Sequence, residues 1–237
     1  MNTTQEITGC EQSKPRAIVG FDQFVLGASL NVYYYYLTET KEENADIEHF
    51  NRRATSYETA SSQGYFFDRI QRLVLRLAKD QTNPEVILDV GCGTGRLLRK
   101  AKEQYPNARL VGVDAAEKMI QQATQLLPEA QFHVAMAESL PLPDGSIDLA
   151  FSTLSFHHWV DQAKGIREVA RVLRQQGRFL LADIVIPRWM SPFVRHFRYN
   201  NPYKIREMFK QAGLTVELQQ QPRRWSRVLL ITAGRKS

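Results

Sequence analysis

Hydrophobic positions along the chain switch between two periods. Apolar residues at Phe66, Ile70, Leu73, Val74 and Leu77 keep a 3.6-residue spacing, which predicts an amphipathic helix ended by Asn83-Pro84. A short apolar run from Val86 to Val90 then predicts the first strand. Helical and strand patterns alternate from there. The expected elements are a helix over Arg96 to Gln104, a strand over Arg109 to Val113, and a helix over Ala116 to Leu127 closed by Pro128. Short strands follow near Phe132 and over Ile147 to Phe151. Ile166, Val169, Ala170 and Leu173 mark another helix, ended by Gly177. Phe179 to Ile186 is almost wholly apolar, as a central strand covered on both faces should be. Ile205, Met208, Phe209 and Ala212 make a last helical stripe, closed by Gly213. Two strands end the pattern, Thr215 to Gln219 and Arg227 to Thr232, and so short a link permits only an antiparallel pair. Alternation of this kind predicts an α/β fold, a mostly parallel sheet flanked by helices with a C-terminal antiparallel hairpin.

Upstream the pattern fades. Residues 1–48 read as a leader or lid segment and 49–237 as the main domain. Within the leader, Val32 to Leu37 carries four tyrosines and reads as a short strand or lid, and Glu39 to Glu48 as an acidic, solvated connector. Two cysteines, Cys10 and Cys92, cannot build a disulfide framework and indicate a reducing, cytoplasmic location. Asp22, Asn31 and the tyrosines speak against a membrane span over Ala17 to Leu37.

A net charge of +6 raises the question of nucleic acid or an anionic surface. Scattered Arg and Lys on helix faces account for much of the excess, so a solvated basic surface is the simpler reading. One stretch is denser: Arg188, Arg195, Arg198, Lys204, Arg206 and Lys210 are interleaved with Trp189, Phe193, Phe197, Tyr199 and Tyr203. It suits an aromatic, anionic or membrane-dwelling ligand, and leaves peripheral membrane contact open beside a packed surface loop. The cysteines and five dispersed histidines lack metal-ligand spacing.

The candidate chemistry centres on Ile87-Leu88-Asp89-Val90-Gly91-Cys92-Gly93-Thr94-Gly95. An acid precedes alternating glycines, between an expected strand and an expected helix. Glycines allow positive φ and let a ligand approach bare backbone, while the helix start offers unpaired N–H groups. Asp114 ends the next strand, 19 residues after Gly95, where a carboxylate accepts hydrogen bonds from a ribose. The alternative is a helix cap, since Asp114-Ala115-Ala116-Glu117 also fits a capping box. A dinucleotide fingerprint is G-x-G-x-x-G, whereas this run is G-x-G-x-G behind Asp89. An anionic pyrophosphate avoids such a carboxylate; a cationic ligand group suits it.

With these motifs the chain resembles the class I S-adenosylmethionine-dependent methyltransferases, in the type 11 branch that includes quinone-biosynthesis enzymes. The resemblance implies a Rossmann-like sheet, S-adenosylmethionine as cofactor, and methyl transfer to oxygen or carbon of a small or lipophilic acceptor. It assigns Asp89, Gly91, Gly93 and Gly95 to the methionine end of the cofactor, Asp114 to the ribose, and Ala115 and Met119 to the border of the adenine. Met119 fits the core equally. Ala137-Glu138-Ser139-Leu140-Pro141 matches the family's segment after strand three, which gives Ala137 and Glu138 to the adenine edge. Relatives carry Asp or Asn where this chain has Met136. Ala54 and Tyr57 match an A-x-x-Y segment whose tyrosine covers the cofactor pocket, or Tyr57 is a half-buried structural residue.

Ser152 to Trp159 follows strand four and should face the reacting centre, with Ser152 as a cofactor contact. His157 can serve there as general base for a hydroxyl acceptor or pack the loop, and His158 reads as packing. The Asn/Asp-Pro-Pro-Tyr signature of methyltransferases acting on nucleobases or glutamine is missing after strand four, which disfavours a nucleic-acid substrate. Two rival readings remain: an NAD-dependent Rossmann enzyme, and a non-catalytic or RNA-binding member of the fold.

Overall fold

A computed structural model describes residues 43–58, 61–81, 83–185, 201–222 and 229–237, with side chains from 46 in the first helix and from 67 in the second. The tyrosine run and most of the cationic aromatic stretch lie outside the described residues. Helices α1 (Glu43–Tyr57) and α2 (Ser61–Leu77) precede β1 (Val86–Val90). Then come α3 (Arg96–Gln104), β2 (Arg109–Asp114), α4 (Glu117–Leu126), β3 (Gln131–Val134) and β4 (Ile147–Thr153). A 3₁₀ turn (Phe156–His158) leads to α5 (Gln162–Val172) and β5 (Leu173–Ile184). The described chain ends with α6 (Pro202–Gln211), β6 (Leu214–Gln220) and β7 (Leu229–Lys236).

The strands form one sheet in the order β3-β2-β1-β4-β5-β7-β6. β1 to β5 pair in parallel, and β7 is antiparallel to both β5 and β6. This is the expected α/β sheet with its terminal hairpin. Alternation along each strand sends neighbouring side chains to opposite faces. Leu88 and Val90 join Ile166 and Val169 of α5 and Phe209 of α6. Ile87 joins Ile70 of α2 and Leu97 and Leu98 of α3 on the other face. Two helical layers therefore cover a sheet that is apolar on both sides, which is why β1 is buried at every position.

Two expectations need correction. The helix marked by Leu173 stops at Val172, and Leu173 already pairs with Ile147 as the first residue of β5. Arg178 next pairs with Leu149, so residues 174–177 bulge out of the ladder, with Gln176 at φ +62°. A Cβ on Gly177 would lie 2.8 Å from the carbonyl oxygen of Arg174, so this glycine serves the bulge rather than ending a helix. The acidic connector is the second correction. From Glu43 it is the start of α1, which crosses the boundary drawn at residue 48. Ile47, Phe50, Ala54 and Tyr57 share one face of α1 and pack with Ala116 and Met119. That burial outweighs the solvated character of the acids beside it.

Candidate active site

Strand order reverses between β1 and β4, because β1 continues to β2 on one side while the chain later returns to β4 on the other. Loops leaving the carboxyl ends of these strands diverge there and leave a crevice. A cavity occupies it, lined among others by Tyr57, Asp89, Gly91, Gly93, Asp114, Ala115, Met119, Ala137 and Glu138.

The glycine turn is held from below. Gly91 and Cys92 both donate to the carbonyl oxygen of Val113, at 2.8 and 3.1 Å, and Gly95 donates back to Cys92 at 2.9 Å. Gly91 has φ +74°, and a Cβ there would fall 1.8 Å from Oγ of Ser155, so the loop after β4 closes directly over it. Gly93 differs. At φ +52° its Cβ would meet only the Tyr57 ring, 4.0 Å away, so bare backbone faces the cavity beneath that ring. Gly95 is not on the wall; it packs toward Phe132 and Ala123 and starts α3 in the left-handed region.

Two carboxyl groups face this turn. Asp89 is 2% exposed, and its Oδ1 is buried with no hydrogen-bond partner among the described residues. Burial, reinforced by Asp114, pushes its pKa up to about 8. Asp114 is engaged already: it accepts from the Gly93 N–H at 2.8 Å and the Ala116 N–H at 2.9 Å. Burial raises its pKa, and those two N–H groups oppose the rise. Neither expected role of Asp114 is exclusive. It braces the turn without the reciprocal Glu117 bond of a capping box, since Glu117 Oε1 accepts from Gln121 at 3.3 Å. Each of its oxygens also has a second lone pair for a ligand hydroxyl.

Helix α1 forms the opposite wall with Asp46, Ile47, Phe50 and Tyr57. Burial, then Asp114, pushes the Tyr57 phenol up to about 12, so it stays protonated. After β4, the wall is Thr153, Leu154, Ser155, His158, Trp159 and Val160. It does not include Ser152 or His157. Ser152 is wholly buried inside β4. His157 turns to β5 instead: its Nδ1 lies 2.7 Å from Asp183 Oδ1, and its backbone N–H donates to Oδ2 at 2.9 Å. In its place His158, expected only to pack, reaches the cavity. Its Nδ1 lies 3.2 Å from Asp46 Oδ2, and its ring packs edge-on to Phe50. Burial and the adjacent His157 lower its pKa to about 4, so the imidazole is neutral near pH 7.

On the third side, Ala137 and Glu138 follow β3. Glu138 accepts from the Asp161 N–H at 2.9 Å, while its Oε2 is buried with no hydrogen-bond partner among the described residues. Asp46, Phe50 and Arg96 were not singled out from sequence, and His158 was read as packing rather than as a wall of the site. The α1 stripe at three- and four-residue spacing was the available signal for the first two. Among the described residues, no group of three or more His, Cys, Asp or Glu is placed to hold a metal ion. No described helix is long and apolar enough to cross a membrane.

A family model, the methyltransferase domain, matches residues 88–181. The malonyl-(acyl-carrier protein) O-methyltransferase of Dechloromonas aromatica is 32% identical over 189 residues, covering 74% of this chain and 68% of that protein. The demethylmenaquinone methyltransferase of Thermotoga maritima is 32% identical over 119 residues, 50% of each protein. Crystalline YcgJ from Bacillus subtilis shares the fold, with a TM-score of 0.58 and 24% identity over 69% of this chain and 97% of that one. The chain belongs to the class I S-adenosylmethionine-dependent methyltransferases, in the type 11 branch. It spans about half the length of several curated relatives that it matches.

The residues present fit the family's cofactor. A glycine that offers backbone to the cavity, a buried carboxyl with an unmatched oxygen, and a carboxylate at the end of β2 supply contacts of the right polarity for an amino acid and a ribose.

Proposed function

We propose that this chain transfers a methyl group from S-adenosylmethionine to oxygen or carbon of a small or lipophilic acceptor. The observation that carries the reading is Asp89, a buried carboxyl whose Oδ1 has no hydrogen-bond partner among the described residues, beside the Gly93 backbone that faces the cavity. Such a group is costly unless a cation or hydrogen-bond donor meets it, and the ammonium of a methionine moiety does so. Gly91 and Gly93 cradle that end, Asp114 accepts from the ribose, and Ala115, Met119, Ala137 and Glu138 border the adenine. Tyr57 covers the cradle.

The bound cofactor supplies a methyl carbon made electrophilic by its sulfonium. The protein's own share is to hold the acceptor in line and keep water out, so positioning carries much of the rate. Phe50, Trp159 and Val160 give the acceptor side an apolar character that suits a lipophilic molecule. For a hydroxyl acceptor a base is also useful. Asp46 accepts from Nδ1–H of His158, which fixes the tautomer with the lone pair on Nε2. His157, held by Asp183 behind that ring, supports the loop. The O-methyltransferase and quinone methyltransferase relatives support an acceptor of this kind.

The test is incubation with S-adenosylmethionine and a panel of phenols, quinols and carboxylic acids, scored by S-adenosylhomocysteine release and by mass of the product. Release that depends on one acceptor class, and is lost in Gly93→Val, supports the reading. No release with any acceptor, from protein that binds the cofactor, would point to a non-catalytic member of the fold.

A further inference from the structure

Helices α3 and α4 begin at the cofactor crevice after Gly95 and Ala116, residues without a polar side chain to cap them. α5 and α6 instead carry their own caps, Asp161 and Asn201. α1 and the residue that follows it reach both helix starts. Asn51 Oδ1 accepts from the Lys118 N–H in the first turn of α4, at 3.0 Å. Glu58, next to Tyr57, meets the start of α3. It accepts from the Thr94 hydroxyl, from Arg96 Nε at 3.2 Å, and from Arg99 Nη2 at 3.1 and 3.0 Å. α3 has no acid in its own first turn, so Glu58 supplies the negative charge that a helix start favours. Arg96 completes the buckle by donating to the carbonyl oxygens of Tyr57 and Glu58, at 3.1 and 2.8 Å.

We infer that Glu58 and Asn51 are positioning residues for the cofactor, fastening α1 across the crevice so that Tyr57 lies over Gly93 and Phe50 packs against the Ala116–Met119 cluster. The inference rests on the proposed cofactor reading. Its physical content is reciprocity. If a docked α1 strengthens cofactor binding by some factor, bound cofactor must strengthen α1 docking by the same factor. Burial would raise the Glu58 pKa, but hydrogen bonds from Thr94 and Arg99 outweigh it and lower the value, in keeping with an ionised clamp.

The probe is S-adenosylhomocysteine, used with the full chain. Its dissociation rate and affinity are measured for wild type, Glu58→Gln, Asn51→Ala and, as control, Ser56→Ala on the exposed side of α1. Hydrogen exchange of α1 amides is followed with and without the probe, and melting midpoints are recorded in parallel. Losing charge-assisted bonds should weaken binding about tenfold in Glu58→Gln, mainly through faster dissociation. Asn51→Ala should lose about fivefold, the size of a typical cap, and Ser56→Ala should match wild type. In wild type the probe should slow exchange in α1; in both variants that protection should shrink. Variants that melt lower yet release the probe at the wild-type rate would overturn the inference, as would α1 exchange unchanged by the probe. Should Glu58→Gln fail to fold, Asn51→Ala decides alone. Wild type that binds no S-adenosylhomocysteine would overturn the cofactor reading itself, a different failure.

Discussion

Replacing Asp89 by Asn isolates the charge on which the cofactor reading turns. Burial, then Asp114, moves this carboxyl from 3.8 to about 8, so it is mostly protonated near pH 7 when no ligand is bound. A cationic group beside it favours the ionised form. Binding of S-adenosylmethionine at neutral pH should therefore release up to one proton, and affinity should rise by up to about tenfold per pH unit below about 8. Stability changes in the opposite sense. Between 3.8 and about 8 the folded chain keeps this proton and the unfolded chain does not. The contribution of Asp89 is thus full below 3.8 and is lost as pH rises through about 8. At about 1.4 kcal/mol per pH unit, the loss is at most on the order of 6 kcal/mol. Asp89→Asn removes the titration, so the ligand-free variant should melt above wild type in alkaline buffer while binding the cofactor about tenfold or more weakly. Calorimetry in two buffers of different ionisation enthalpy reads the proton directly. Equal heats in both buffers for wild type, with unchanged affinity in Asp89→Asn, would refute the reasoning.

Gly93→Val should abolish cofactor binding, since a β-branched side chain is strained at φ +52° and would enter the space beneath Tyr57; a folded variant that binds normally by calorimetry contradicts the cradle. Asp114→Ala should lower both affinity and melting midpoint, because it removes a charged acceptor worth about 1.5–3 kcal/mol from the Gly93 and Ala116 N–H groups as well as from a ribose. A lower midpoint with unchanged affinity would confine Asp114 to scaffolding. His157→Ala should cost about 1–3 kcal/mol of stability in denaturant unfolding, by leaving Asp183 less well matched, and should leave cofactor affinity near wild type. For His158, with a folded pKa of about 4 against 6.5, stability is present above 6.5 and lost as pH falls toward 4. His158→Gln should flatten that acid limb in a melting series, and an unaltered limb would show that another group causes it.

Elements with one clear period were legible from sequence: β1 and α3 fall at the expected residues, and the apolar run of β5 lies inside the sheet, between β4 and β7. Failure came where tertiary contacts decide. The end of α5 depends on Leu173 pairing with Ile147, a partner that local pattern cannot reveal. The first turns of α1 were read as connector because Glu43, Asp46 and Glu48 crowd around Ile47, ahead of the other positions that pack against Ala116 and Met119. At the site, nine of the twelve candidate residues line the cavity. From sequence, His157 was open between base and packing and His158 read as packing; the local pattern cannot tell which of two adjacent residues in a 3₁₀ turn faces the cavity. Only the position of Asp183, 26 residues further on, shows which way His157 turns.

The most direct measurement is calorimetric titration of the full chain with S-adenosylmethionine and, separately, with NAD. Asp89 beside a G-x-G-x-G turn predicts saturable binding of S-adenosylmethionine, one per chain, with no detectable heat from NAD. Tight binding of NAD, or no binding of S-adenosylmethionine by the folded protein, would contradict the account.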